Sequence, residues 1–443
     1  LYKPGIRSPT SNRRTKETNV MKTLSITLSL MLALVASARA ADQFTPNHLF
    51  ATGVDTNTSQ PSVFEFDEGG SLVRAIPVAA EGLVYGIAFG PDGNIYAALM
   101  SDNKVVRVTP TLATNVILSA SDGLMGPEGL SFGPDGTLFV GNVFTNIVVT
   151  RRPDGTVSAI TPGDTNTEPV AVSFGVAGNR YVSDDKEDDG PEIREQDPSG
   201  REIRILGQGA FIGGSLANVA EGPGGLLYVA DYSTNIYVFS SSGTLHSTIQ
   251  HPDIQGAFGL AFGPNGNLFV CCWDSSSVIE FTPAGTHVRT ITLPRMVVPS
   301  YLAFAPYRFT ASLKGTIAAT GSSAAKLAEK NAVLSITPGS RTIMLSVTNN
   351  LANPASYASL FGGQWHVFRG FENFSGATSV SRLYLGSQVN NQPSSNGVGS
   401  VSLTVKGAVG SNGWFAVKSM SGSLQRASDA AQFKGTVSGK PIK

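Results

Sequence analysis

The stretch GLAFGPNGNLFV, residues 259–270, has two near copies in this chain: GIAFGPDGNIYA at 86–97 and GLSFGPDGTLFV at 129–140. Each copy is an apolar run, a Gly-Pro-Asp/Asn-Gly turn and a second apolar run, the pattern of two short strands joined by a tight turn. Degenerate copies begin at Gly175 (GVAG) and Gly222 (GPGG). The turns therefore start at 90, 133, 175, 222 and 263, with spacings of 43, 42, 47 and 41 residues. A period in the low forties with short strands and Gly-rich turns predicts a β-propeller.

Each unit reads as four strands, which in the last full copy are AFGLAF, NLFVCCW, SVIEFTP and THVRTI. Alternate residues of a strand face the neighbouring unit, so no blade buries its apolar side alone. First-strand equivalents end at Phe89, Phe132, Phe174, Glu221, Phe262 and Phe304, which gives six blades. The two ends of the repeat region are complementary. HLFATG, SVFEFD and LVRAIPV lack a first strand before them, and PSYLAFAP at 299–306 is a first strand with nothing after it. Joined, they complete one blade and remove two exposed strand edges. The expected fold is all-β: a six-bladed propeller over 41–309, closed by N-terminal strands plus one C-terminal strand.

The copy AEGPGGLLYVADYSTNIYVFSSSGTL at 220–245 resembles the repeat of the NHL propellers, with its turn, apolar strand, Val-Ala-Asp and aromatic-aliphatic strand. The gluconolactonase-like six-bladed propellers are the neighbouring group. This resemblance implies the fold and no particular activity, because propellers host binding, scaffolding and hydrolysis alike.

Beyond Phe309 the period stops. Residues 310–331 (TASLKGTIAATGSSAAKLAEKN) read as a linker with a short helix at Ala324–Lys330. Residues 332–443 hold seven strand-like runs and predict a smaller β-sandwich or barrel-like accessory domain.

Composition narrows the function classes. Lys+Arg and Asp+Glu both number 32, a balance that excludes nucleic acid as the expected partner. Only 14% of residues are charged while Gly numbers 49 and Pro 25, as suits a turn-rich β protein. Residues 1–20 are polar and basic and read as an untranslated or disordered leader. Residues 21–40 read as a signal peptide: Lys22, the apolar run Leu24 to Ala36, and Ala38-Arg39-Ala40 with cleavage after Ala40. The expected location is secreted or periplasmic, with no transmembrane segment in the mature chain. Cys271 and Cys272 are adjacent and point to opposite faces of a strand, which disfavours a disulfide and marks them as structural.

Chemistry is expected at the channel mouth, formed by loops that enter the first strands and loops between second and third strands. These loops are acidic and amide-rich, and Glu128, Glu168, Asn218, Asp231, Trp273 and Asp274 are the ligand-binding candidates. GLSFG at 129–133 matches the Gly-x-Ser-x-Gly nucleophile pattern, but Ser131 aligns with Ala88 and Ala261 inside a first strand and lacks the strand-to-helix elbow. Asp185-x-Glu187-x-Asp189-Gly190 approaches a calcium loop, with Gln196 where the bidentate Glu belongs. The resemblance to gluconolactonase-like enzymes implies a divalent cation held by hard oxygens near first-strand beginnings. Glu128 matches that position and Asn218 lies one residue off; the other corresponding residues are Tyr85, Val170, Ala217, Phe258 and Ser300. His251 in IQHPDIQG sits on a mouth loop, where an imidazole can act as a general base.

These residues favour a non-catalytic binding propeller that engages a small molecule, glycan or protein at an acidic mouth, with no cofactor. One alternative is a metal-dependent, gluconolactonase-like hydrolase using Glu128 with Asn218 and a divalent cation such as calcium. A third reading is a structural cell-surface or matrix adhesion protein.

Overall fold

A computed structural model of the protein describes residues 43–442 apart from 134–135, 164–166, 176–177, 186–189, 213–214, 320–324, 338–341, 348–364, 376–380, 388–397, 410–414 and 428–430. The leader and signal-peptide expectations therefore lie outside the described residues, as do Glu187 and Asp189.

The GPDG repeat folds as its glycines dictate. In the turns at 90–93 and 263–266 the last glycine donates its N–H to the carbonyl of the first, at 2.9 Å in both. Gly93 and Gly266 have φ of 76° and 81°, a region that L side chains rarely adopt. Gly266 has open space around its missing Cβ, so backbone conformation alone selects glycine there.

Six sheets form the propeller. Blade II comprises Val84–Phe89, Ile95–Leu99, Lys104–Val108 and Thr114–Leu118. Blade III comprises Pro127–Phe132, Leu138–Asn142, Val148–Arg151 and Val157–Ile160, and blade IV Pro169–Phe174, Arg180–Asp184, Glu192–Gln196 and Glu202–Leu206. Blade V runs through Asn218–Glu221, Leu227–Ala230, Asn235–Phe239 and Leu245–Gln250, and blade VI through Ala257–Phe262, Leu268–Cys272, Ser277–Phe281 and His287–Thr292. Blade I is built from both ends of the repeat region. Its inner strand Leu302–Phe304 pairs with Leu49–Asp55 in the register Leu49↔Phe304, Phe50↔Ala303 and Ala51↔Leu302, and Pro61–Phe66 and Leu72–Pro77 follow outward.

Strand alternation supplies the cores. Among the described residues, one buried apolar cluster lies between each pair of adjacent blades. The two cysteines show how. Cys271 packs toward blade I with Phe269 and Phe304, whereas Cys272 packs toward blade V with Val238 and Ile249. Both thiols are free and buried, and burial raises their pKa, that of Cys272 to about 11. The blade III–IV cluster is the sparsest, with only Val148, Val172 and Val182 fully inside. Here Arg194, 5% exposed, binds Asp184 at 2.9 Å and Glu202 at 2.8 Å.

A second repeat emerges in the outer hairpins. Glu65–Arg74, Glu195–Arg204 and Glu280–Arg289 are cross-strand partners in blades I, IV and VI, each joined by an ion pair of 2.5–2.6 Å. The carboxylates are nearly buried and the arginines half-exposed, so each clip covers the end of its blade with a charge-assisted bond.

The C-terminal part corrects two expectations. Among the described residues of 310–331, the part expected as a linker is strand: Tyr307–Ala319 is one strand, and 325–330, expected as helix, belongs to another, Ala325–Thr337. Ala325–Thr337 contains the first of the seven anticipated runs, and Tyr307–Ala319 adds an eighth strand to make a closed barrel, in which Tyr307–Ala319 pairs on one side with Ala325–Thr337 and on the other with Ala431–Pro441. The physical cause is a period of two in which Phe309, Ala311, Leu313 and Ile317 are buried while Thr310, Lys314 and Thr316 are exposed. The helix-favouring AAKLAEK run is overridden by pairing, as in Leu313↔Glu329. Phe433 and Val437 likewise face inward while Lys434, Thr436 and Lys440 face out. Among the described residues no helix is long and apolar enough to cross a membrane.

Candidate functional site

Strand register fixes which residues meet at the channel. Leu130↔Val140, Val172↔Val182, Val219↔Val229 and Leu260↔Val270 are equivalent pairs in blades III to VI. Two residues earlier in each inner strand lies the ring of positions Tyr85, Glu128, Val170, Ala217, Phe258 and Ser300. Glu128 is its only carboxylate.

The next position inward is occupied by Gly86, Gly129, Ala171, Asn218, Gly259 and, on blade I, Tyr301. Inner strands approach so closely that a Cβ on Gly129 would lie 2.4 Å from that of Ala171. Tyr301 reaches across from blade I to blades III and V. Its hydroxyl donates to the Ala217 carbonyl at 2.7 Å and lies 3.4 Å from Glu128 Oε1. Its ring also packs edge-on against Phe258 at 5.5 Å. Tyr301 is 4% exposed and closes the channel at this level.

Below Tyr301 lies a cavity of about 250 Å³, lined by the second halves of the inner strands. Its polar residues are Ser131, Ser173, Asn218 and Glu221. Asn218 donates to the Leu260 carbonyl at 3.0 Å and accepts from Ser173 Oγ at 3.2 Å. Ser131 donates its hydroxyl to the Val172 carbonyl inside a regular strand. That bond spends the proton a nucleophile would lose, and no elbow or base stands beside it. Ser131→Ala is expected to cost no more than about 1.5 kcal/mol of stability and to leave any ester turnover unaltered, as checked by denaturant melts and a chromogenic ester.

Above Tyr301 the mouth divides into an acidic side and an aromatic side. Burial pushes the Glu128 carboxyl up to about 8, and the charge of Asp185 adds to the effect. The Tyr301 hydroxyl, which also donates across the longer 3.4 Å contact, opposes this rise. Asp185, just after the second strand of blade IV, is raised to about 6, mainly by burial and further by Asp184 and Glu168. The Ser215 hydroxyl and the Leu216 N–H oppose this rise by donating to it. On the other side, Trp273 lies 5.6 Å from Tyr85, 5.4 Å from Phe258 and 6.4 Å from Tyr232, centroid to centroid. Tyr85 and Phe258 are 5.8 Å apart and complete a wall of four aromatic rings.

The acids of the mouth are largely occupied by its own loops. Asp231 is fully buried and accepts from the Ile212 N–H at 3.0 Å and from the Ser233 hydroxyl. Asp274 accepts from the Tyr232 hydroxyl at 3.2 Å. Glu168 is half-buried, and its N–H binds Asp184 at 2.7 Å. Beside exposed acids such as Asp274, the described mouth loops also expose apolar side chains: Met125 (53%), Phe144 (65%), Ile212 (74%) and Tyr232 (37%).

Of the sequence candidates, Glu128 lies in the ring just above Tyr301, while Asn218 turns into the cavity below and bonds other partners. Trp273 and Asp274 do share the mouth with Tyr232. Asp185 acts on Glu128 through its charge, while Glu187 and Asp189 of the calcium-loop reading lie outside the described residues. At position 196, Gln196 is buried and spends its amide on Arg180 and the Pro162 carbonyl. His251 sits away from the aromatic wall, stacked on His287 at 4.2 Å. The donor set at the ring does not fit a hard divalent cation, which takes several converging oxygens. Glu128 is the only ring carboxylate, and its nearest acid, Asp185, already accepts two hydrogen bonds. Of the aromatic wall, Trp273 is a sequence candidate, and Tyr85 and Phe258 stand out in the sequence only as ring positions without an acidic side chain; Tyr301 escaped because it alone carries a large side chain where the other blades have Gly, Ala or Asn.

Residues 210–309 match the family model described as "SMP-30/Gluconolactonase/LRE-like region", the group neighbouring the NHL propellers. Nothing among curated proteins matches the chain. Several solved structures show a weak similarity to this chain. A gluconolactonase from Xanthomonas campestris shares 12% identity, covering 74% of this chain and 98% of that one, with a TM-score of 0.44. A protein of unknown function from Bacteroides caccae shares 17% identity, covering 58% and 98%, with a TM-score of 0.44. A virginiamycin B lyase from Staphylococcus aureus shares 11%, covering 80% and 94%, with a TM-score of 0.40.

Proposed function

We propose that the protein is a non-catalytic binding propeller whose mouth engages an apolar segment of a peptide or protein partner. The observation that carries this reading is the character of the mouth. Met125, Phe144, Ile212 and Tyr232 are exposed on its loops, Tyr232 as part of the wall with Tyr85, Phe258 and Trp273, while Asp231 and Asp274 are bonded to loop groups. Large exposed apolar side chains gathered around one face suit association, and aromatic anchors carry most of the energy in such contacts. The test is calorimetry and tryptophan fluorescence against apolar peptides, with glycans and lactones as competing probes. We expect peptide binding that Phe144→Asp and Trp273→Ala each weaken at least tenfold, on the ground that central aromatic anchors contribute about 2 kcal/mol or more. Unchanged affinity in both variants would overturn the assignment of the mouth.

The matched family over residues 210–309 supports a second reading, a lactonase-like hydrolase. Glu128 and Asp185, both raised toward neutrality, are the groups such chemistry would use for proton transfer. Lactone turnover that a chelator stops and Glu128→Gln abolishes would establish it over the binding-only reading.

A further inference from the structure

We propose that His251, Asp253 and His287 form a binding site for a borderline divalent transition metal such as Zn²⁺, at the rim between blades V and VI. The site is separate from the channel and independent of the reading of the mouth. His251 and Asp253 lie on the loop that carries the chain from the outer strand of blade V to the inner strand of blade VI. His287 opens the outer strand of blade VI. Their ligand atoms all lie within 4.8 Å of one another, and among the described residues they are the one such group of three.

The arrangement around them is ordered. The two imidazoles are parallel, 7° apart in plane at 4.2 Å, and both meet the edge of Phe281 at about 6 Å, 6.0 and 5.9 Å respectively. His251 Nδ1 is 3.9 Å from Asp253 Oδ2. His287 Nε2 is 3.0 Å from Thr290 Oγ1, which donates to Asp253 Oδ2 at 2.6 Å. Thr290 thus ties the carboxylate to the second imidazole, as an outer partner does for metal ligands.

Donors around a tetrahedral ion stand roughly 3.4 Å apart, given metal–nitrogen bonds of about 2.1 Å. The group would therefore close by an ångström or so. The stacked rings would tilt so that both planes contain the ion, and His251 Nδ1 would release the Asp253 N–H it accepts at 3.2 Å. A half-exposed loop can supply that movement. Two neutral imidazoles and one carboxylate favour Zn²⁺, Co²⁺, Ni²⁺ or Cu²⁺ over Ca²⁺ and Mg²⁺. Water would fill the remaining position. A bound ion would pin the 251–256 loop to the outer strand of blade VI, immediately ahead of the strand that carries Phe258 into the aromatic wall.

The test uses the full chain, stripped with chelator and titrated with ZnCl₂ and CaCl₂ in a calorimeter, alongside the visible spectrum of its Co²⁺ form. One Zn²⁺ per chain is expected, with no comparable Ca²⁺ binding and a Co²⁺ spectrum of four-coordinate nitrogen–oxygen type. His287→Gln and Asp253→Asn are each expected to weaken Zn²⁺ at least tenfold while the metal-free melting temperature stays near that of the parent. Absence of Zn²⁺ binding, or Zn²⁺ affinity unmoved in both variants, would overturn the proposal. If one variant fails to fold, the Co²⁺ spectrum of the parent decides: octahedral all-oxygen absorption would refute the site.

Discussion

Tyr301→Ala is expected to destabilise the propeller by about 3–5 kcal/mol, the range for removing a large aromatic from a well-packed site. In a domain of this size that corresponds to a fall in melting temperature on the order of 10 °C. The loss has three sources. The ring contacts Phe258 and lies among residues of blades I and II, together with Ala217 of blade V. Its hydroxyl satisfies the Ala217 carbonyl. Its removal also joins the cavity of about 250 Å³ to the mouth and admits water beside Glu128. Tyr301→Phe keeps the ring and removes only the hydroxyl, so its cost should be about 1–2 kcal/mol. Calorimetric melts compare the two. Near-equal effects would show that the ring does not seal the channel.

Glu128→Gln is expected to leave stability near pH 5 almost unchanged and to raise it by a few kcal/mol at pH 8 and above, an order-of-magnitude figure. The direction follows from the raised pKa. In the folded protein the carboxyl holds its proton up to about 8, against an ordinary value of 4.5. Its contribution is fully present below pH 4.5, where folded and unfolded chains are both protonated there. Between 4.5 and 8 the unfolded chain loses the proton and the folded chain keeps it, so native stability declines as pH rises. Glutamine does not titrate and removes that decline. Denaturant melts at pH 5, 6.5 and 8 read the effect, and parallel curves for parent and variant would refute the buried neutral acid. Because Tyr301 touches this carboxyl, the two substitutions should not add: opening the channel hydrates Glu128 and shrinks the gain from glutamine.

The ring of blades was legible because its turns need residues that few other contexts need. A glycine with positive φ every forty-odd residues is written by backbone geometry, and the incomplete first and last units announced their own pairing. The Glu–x₈–Arg clips recur in only three of the six blades and went unread, since their meaning depends on a cross-strand register. The mouth was legible only as a composition of carboxylates, which does not show that Asp231 and Asp274 accept from a neighbouring amide and a phenol or that Phe144 and Ile212 are exposed beside them on the loops. Tyr301 occurs once, in the unit that has no second strand of its own, so no alignment of copies marks it. The segment after Phe309 shows the limit of composition: small residues and a helix-favouring run read as a connection, while pairing with Ala431–Pro441, more than a hundred residues later, makes it a barrel strand.

The composite blade also imposes an order of assembly. Leu49–Asp55 leaves the ribosome among the first strands of the propeller and finds its inner partner, Leu302–Phe304, only after some 250 further residues. Until then blades II to VI can stack on their neighbours, as repeat units do, but the stack stays an open arc with a bare edge at each end. The final clasp pairs two short segments, Met296–Val297 and Leu302–Phe304, with Leu49–Asp55, and Leu302–Phe304 is the shortest inner strand of the ring. Joining ends so distant in sequence is slow on entropic grounds. A nascent chain is therefore most exposed to mispairing in the interval just before that clasp, and prolonged pausing there should yield strand-exchanged oligomers rather than unfolded chain.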